Sequence, residues 1–425
     1  MNILTNLIKE DMKPALGVTE PGAIAFAVAT AGSHIKGPVE KVILRLNSGI
    51  FKNAFTCGIP GVSEVGNYYA AALGAVGADA EKGLECLDGI TEEQKEAARG
   101  MVEAGKITVE MSEITSRIYI KAIVFGKNSQ TAAVTIRDAH TNIVEIIENS
   151  QTVYEKKQEK EQRETDGDCL IHRYTFAQIY EYALSVPAAE LDFIKEAFSM
   201  NEELLMEGLS SEKTTYGPYL LNANGGNLVS EDERKTASLF CNGAIEARVL
   251  GLSKPAMSIT GSGAHGIIAT MPLYAAYKVK GYTEENLLRA TALSYLVCMY
   301  IKEYSGKLSA FCGCAIAAGT GMACGLAFLR GGDLEVLEKV INNMASSITG
   351  MICDGGNQGC TMKGIVAVDA AYAAVDMAVR DVYIYNVHGI NGKTPEETMK
   401  NMGLIASPGM AGTEKTIVEI LEGKK

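Results

Sequence analysis

Four cysteines in the last third of the chain are the residues best suited to chemistry. Cys312 and Cys314 stand in KLSAFCGC, and Cys353 and Cys360 in GMICDGGNQGC. The second pair brackets Asp-Gly-Gly-Asn-Gln-Gly, a flexible loop able to bring two thiolates to one metal, with glycines that leave room for a cluster and a substrate. The spacing is not that of the close CxxC pairs of zinc sites. On spacing alone two readings stay open: ligands of an iron–sulfur cluster, or cysteines buried as small apolar groups, as free cysteine commonly is.

Three further segments carry groups suited to small-molecule chemistry. Gly17-Val-Thr-Glu-Pro21 enters a helix, with Thr19 as the expected cap. A helix start offers unpaired N–H donors and partial positive charge, which suit a carboxylate. Ser258-Ile-Thr-Gly-Ser-Gly-Ala-His-Gly266 precedes an apolar helix, and its glycines and hydroxyls would let backbone approach an anion. It lacks the lysine of a Walker loop and the strand of a dinucleotide fingerprint. Ala139-His-Thr-Asn142 falls between two strand signals, where His140 would be an acid or base near neutral pH. Each has an ordinary alternative: a capped helix, an interhelical turn, a turn histidine.

The elements that must position these groups change along the chain. Residues 14–33 read as a loop entering an Ala-rich helix, 41–47 as a strand and 67–76 as a helix. Residues 107–111, 117–125, 132–137 and 142–147 read as strands, with a turn at 126–129. Residues 154–168 are densely charged and nearly free of aliphatics, as an exposed linker would be. Beyond them the pattern is helical, with starts marked by a capping box at Ser230-Glu-Asp-Glu233, by Thr394-Pro-Glu-Glu397, and by Thr283 and Thr413. The expected fold class is α+β: an N-terminal α/β domain over residues 1–160, then a mostly α-helical domain over 161–425 with Gly-rich interhelical loops.

Composition limits the partners. The chain has 425 residues, 47% of them hydrophobic, and a net charge of −12. No basic patch stands out, which argues against nucleic acid. The N-terminal segment has no basic stretch followed by an apolar run, so a cytoplasmic location is expected, with the ten cysteines as reduced thiols or metal ligands. Residues 308–329 are uncharged and about long enough to span a bilayer, but they are rich in small residues, so a buried helix and no membrane partner are expected.

Read together, ALGVTEPGAIA, GIPGVSEVGNYYAAALGA, AHTNIV, SGSGAHGIIATMP, KLSAFC and GMICDGGNQGCTMK resemble, in this order and over residues 14 to 421, the L-cysteine desulfidase family, which is related to the α chain of bacterial iron–sulfur L-serine dehydratases. The resemblance implies a pyridoxal-free lyase with a [4Fe–4S] cluster held by three cysteines and one iron left open. It implies β-elimination of a small L-amino acid: L-cysteine to hydrogen sulfide, ammonia and pyruvate, or L-serine with hydroxide leaving. Cys312, Cys353 and Cys360 match the cluster ligands; Thr19 and Glu20 match the substrate-facing loop; Ser262, Gly263 and Gly266 match the Gly-rich loop; and His140 and Asn142 match the His-Thr-Asn motif. The resemblance also suggests a homodimer.

One position departs from the pattern. The family's first motif reads ALGCTEP, and here its cysteine is Val18, which can neither ligate nor move a proton. Cys314 and Cys57 are the candidate substitutes, and His140 and Lys307 the candidate bases. Val18 also admits a non-catalytic iron–sulfur or thiol sensor, and Lys307 a pyridoxal-phosphate lyase.

Overall fold

The computed structural model describes residues 2–156, 169–306 and 308–424. Lys307 and most of the charged segment 154–168 lie outside the described residues.

The first part of the chain runs α1 (Ile3–Asp11), β1 (Lys13–Leu16), α2 (Thr19–Ser33), β2 (Val39–Asn47), α3 (Ser48–Asn53), α4 (Gly66–Val76) and α5 (Glu92–Glu103), then β3 (Ile107–Glu113), β4 (Tyr119–Gly126), β5 (Thr131–Arg137), β6 (Ile143–Glu148) and β7 (Gln151–Glu155). Six strands form one sheet in the order β3-β2-β4-β5-β6-β7, antiparallel except for β2 with β3. Alternation makes it two-faced: along β4, Ile120, Ala122 and Val124 are buried while their neighbours are half-exposed. Helices α2 and α4 cover the apolar face. The strands and the helix expected at 67–76 fall where the sequence puts them. Tyr154 and Glu155, expected in the linker, instead pair with Ile146 and Glu145 as part of β7. An exposed edge strand is held by its backbone, so its composition gave no apolar signal.

The second part is helical: α6 (Phe176–Ser185), α7 (Lys195–Ser210), α8 (Tyr216–Ala223), α9 (Glu233–Val249), then β8 (Pro255–Ser258), α10 (Gly263–Lys280), α11 (Glu284–Ser305), α12 (Gly319–Leu329), α13 (Leu334–Ile348), α14 (Gly359–Ala378), α15 (Pro395–Leu404) and α16 (Ala411–Glu422). Helix α9 is buried over almost its whole length, with α7, α8, α10 and α14 packed around it. The half expected to be all-helical contains one strand. β8 pairs antiparallel with β1, Lys13 facing Ser258 and Leu16 facing Pro255. Two four-residue strands separated by more than two hundred positions have no local signature. Residues 308–329 are not one helix. They pass through a loop, a π-helical turn at Cys314–Ala318 and α12, and among the described residues no helix is long and apolar enough to cross a membrane.

Three expected caps are corrected. Asp232, not Ser230, caps α9 by accepting from Lys235 N at 3.0 Å, while Ser230 Oγ donates to Asn224 Oδ1 at 2.6 Å. Thr19 lies inside α2, whose cap position is Val18, and Thr413 lies inside α16, which begins at Ala411. Thr283 and Thr394 cap α11 and α15 as expected.

Gly266 shows what holds the second part together. A Cβ there would stand 1.9 Å from Met257 O, so the absence of a side chain lets α10 press against β8. Gly266→Ala is expected to lower stability by about 1–3 kcal/mol, the usual cost of overpacking, read as a lower urea midpoint at unchanged slope.

Candidate cysteine-lined active site

The two cysteine segments are joined by backbone. Cys312 N donates to Met351 O at 2.8 Å, Cys353 N donates to Ala310 O at 2.6 Å, and Phe311 bridges to Ile352. Cys353 then opens the loop to α14, and Cys360 sits in that helix's first turn with its thiol donating to Gly355 O at 3.5 Å. The loop is clamped from α3. Gly356 N donates to Asn53 O at 3.2 Å, and Gly355, at φ 115°, has no room for a Cβ because Lys52 O would lie 2.4 Å from it.

These segments, the turn into α2, the β8–α10 loop and the end of α11 enclose a cavity of about 380 Å³. Cys314, Cys353 and Cys360 line it. Cys312 is buried behind them, hydrogen-bonded to Cys314. Among the described residues no three His, Cys, Asp or Glu side chains converge closely enough to hold a single metal ion. An iron–sulfur cluster takes its thiolates one per iron, so its ligands stand apart around it. The donor set fits that demand: Cys353 and Cys360 line the cavity, Cys312 is buried just behind, and all three are sulfur.

Charge inside the cavity is unusual for a chain of net charge −12. Lys52, Arg248 and Lys302 are all buried there or directly behind it. Lys52 Nζ donates to Glu414 at 2.7 Å and to Ser309 O at 3.2 Å. Burial alone would depress Lys52, but Cys353, Glu414 and the hydrogen bond to Glu414 outweigh it and hold its pKa above the ordinary 10.5. For Lys302 burial wins and lowers the pKa, against the pull of Cys314, Cys298 and Cys353; its Nζ donates to Gly306 O at 2.7 Å. The hydrogen bond from Cys312 holds the Cys314 thiol well below its ordinary range; burial opposes this, and His265 and Arg248 add to it. Burial, with Cys314 and Cys353 nearby, pushes Cys360 up to about 12.

His265 is buried, hydrogen-bonded to Thr260 Oγ1 on one side and to Cys314 on the other. Thr260 takes a positive φ of 53°, and its N–H donates to the Asp11 carboxylate. On the facing wall, Asn53 Nδ2 donates to Glu20 at 2.8 Å, and the Cys353 thiol donates to Asn53 Oδ1 at 3.9 Å. Thr19 Oγ1 donates to Glu20 at 3.3 Å.

Of the residues singled out from sequence, Thr19, Glu20, His140, Ser262, Cys353 and Cys360 line this cavity. Gly263, Gly266 and Asn142 do not. Gly263 lies against Arg248, Gly266 against β8, and Asn142 closes the β5–β6 turn by donating to Arg137 O at 2.9 Å. Val18 is buried in the lining, packed against Gly356. Of the two substitutes for a cysteine there, Cys314 reaches the cavity and Cys57 is buried outside its lining. Sequence reasoning missed Arg248 and Lys302, although a lone cation in an apolar helical stretch is a signal.

The Lys52–Glu414 pair yields a prediction. Glu414→Gln leaves a buried cation without its counter-charge and is expected to cost about 3 kcal/mol. Lys52 is raised in the folded state, so the wild-type advantage holds from neutral pH to 10.5. It is lost as pH rises through the raised value. Urea unfolding of both proteins across this range checks it.

Comparison with known proteins gives consistent matches. A family model described as serine dehydratase alpha chain matches residues 81–419. A UPF0597 protein of Clostridium botulinum (strain Langeland) is 42% identical over 99% of this chain and 98% of its own length. UPF0597 proteins of Caldanaerobacter subterraneus (34% identical, 100% of this chain and 99% of the relative) and Alkaliphilus oremlandii (31%, 99% and 98%) extend the likeness.

Proposed function

The chain belongs to the serine dehydratase α-chain family, and from that premise we propose that it is an iron–sulfur-dependent lyase that eliminates the β-substituent of a small L-amino acid, with L-cysteine the favoured substrate. The observation that supports this most is the meeting of the Cys312–Cys314 turn and the Cys353–Cys360 loop at one cavity that also holds buried cations.

Cys312, Cys353 and Cys360 would hold a [4Fe–4S] cluster. When bound, its open iron supplies a Lewis acid for the β-leaving group. The chain's own residues do the remaining work. Lys302, its pKa lowered by burial, is the favoured base for the α-proton, because a lowered pKa brings the proton-accepting amine nearer to working pH. His140, the base suggested by sequence, lines the same cavity and is the second candidate. The Asn53–Glu20–Thr19 network fixes a carboxylate facing the substrate space, suited to an α-ammonium group. Loss of the α-proton and of the β-substituent gives aminoacrylate, which water converts to ammonia and pyruvate. With L-cysteine the group leaves as hydrogen sulfide, and with L-serine as water.

Val18 favours a second reading, a cluster-bearing sensor without turnover, since the wall that carries a cysteine in the family's motif is apolar here. The two readings separate in one experiment. Anaerobically reconstituted protein is expected to carry about four irons per chain and to release pyruvate from L-cysteine, from L-serine, or from both. A folded protein that holds no iron sinks both readings, and one that holds iron but releases no pyruvate from either amino acid or from other β-substituted analogues leaves the sensor.

Two variants sharpen the test. Cys353→Ala is expected to lose the brown colour while keeping its fold by circular dichroism. Lys302→Met is expected to lose at least about 100-fold in kcat, the usual scale of a proton-transfer residue. It should also lose the rise of kcat/KM with pH that titration of a depressed lysine gives the wild type.

A further inference from the structure

We propose that Arg248 is the anchor for the substrate's α-carboxylate, which makes this a site for small α-amino acids with a free carboxylate. Arg248 ends α9 at 6% exposure and faces the cavity. Its Nε is buried with no hydrogen-bond partner, and among the described residues no carboxylate forms an ion pair with it. Every other cation at this site is engaged: Lys52 with Glu414 and Ser309, and Lys302 with Gly306. A buried guanidinium whose Nε makes no hydrogen bond is costly even beside the Cys314 thiol, and such a group suits a site where an incoming carboxylate completes it. The planar fork of arginine matches a carboxylate in two parallel hydrogen bonds.

A second observation points to the same spot. Gly263 opens α10 beside the guanidinium, where a Cβ would stand 2.7 Å from Arg248 Nε. Ser262, in the cap position, makes no side-chain cap hydrogen bond, and both Ser262 and Ala264 line the cavity. The start of an eighteen-residue helix therefore lies next to Arg248 with uncapped N–H groups. Glu20 lines the same cavity, so a guanidinium, a helix start and a carboxylate are all present there for the two charges of an amino-acid zwitterion.

The assignment rests on the lyase reading for the identity of the substrate, but not for the carboxylate, so binding and turnover are measured apart. Reconstituted holoprotein is titrated with L-alanine, which has no β-leaving group, and with L-alaninamide, which has no carboxylate. Thermal stabilisation by L-alanine is expected, and at least tenfold weaker stabilisation by the amide. Arg248→Gln is expected to abolish the L-alanine response and to raise KM for the reacting amino acid by 10- to 100-fold, with a smaller change in kcat. Arg248→Lys, which keeps the charge but not the fork, is expected to recover part of the binding. Iron content should stay unchanged in both variants. Equal stabilisation by the acid and the amide would overturn the assignment, as would full binding by Arg248→Gln or loss of iron from both folded variants, which would make Arg248 a support of the cluster. Arginine-dependent binding of L-alanine without pyruvate release from any substrate would keep the anchor and sink the lyase.

Discussion

Lys52 is taken almost wholly out of water, and what surrounds it ties together segments that also frame the cysteines. Its side chain reaches Glu414 on α16 and Ser309 on the loop that leads to Cys312. Its own carbonyl backs Gly355, and the next residue, Asn53, receives the N–H of Gly356. One short helix thus ties three segments that lie more than 250 positions from it in sequence. A buried ion pair of this kind adds little net stability over apolar packing. Here its effect is geometric, because it holds α3, whose Asn53 meets the loop carrying Cys353 and Cys360.

The same economy of water explains the electrostatics of the cavity. An acidic chain would be expected to repel an anion, but the field inside a low-dielectric cavity is set by the nearest groups and not by the total. Those acting on Cys314 include Arg248 and His265, and they favour a thiolate. Burial in the same place lowers the pKa of Lys302. A thiol lowered by Cys312, His265 and Arg248 and a lysine lowered by burial are two results of one arrangement.

What was legible in the sequence follows the range of the interactions. The strands β2 to β6 and the caps at Thr283 and Thr394 depend on neighbours within a few residues, and the pattern showed them. So did the four cysteines, because thiols in a Gly-rich loop are rare enough to notice. The β1–β8 ribbon did not show, since each strand is four residues long and its partner is remote. Ser230 was misjudged because its hydroxyl is drawn to Asn224, a contact made through the preceding turn. Arg248 and Lys302 were passed over for a similar reason. On a helix a cation is ordinarily read as a solvated group, and only the packing of α9 and α11 at the centre of the helical part buries them.

Glu414 lends the order of synthesis a structural meaning. A chain emerging from the ribosome folds its leading parts first, so the sheet and α3 are in place while Lys52 still lacks its carboxylate. The thiols of Cys312, Cys353 and Cys360 are all made before residue 414. For the interval between them the cysteine loop already has its bonds to Asn53 and Ala310, and the buried ammonium is what waits for the C-terminal helix. The carboxylate that answers Lys52 is thus among the last groups to be made, and the α3 side of the site reaches its final charge only when α16 packs against it.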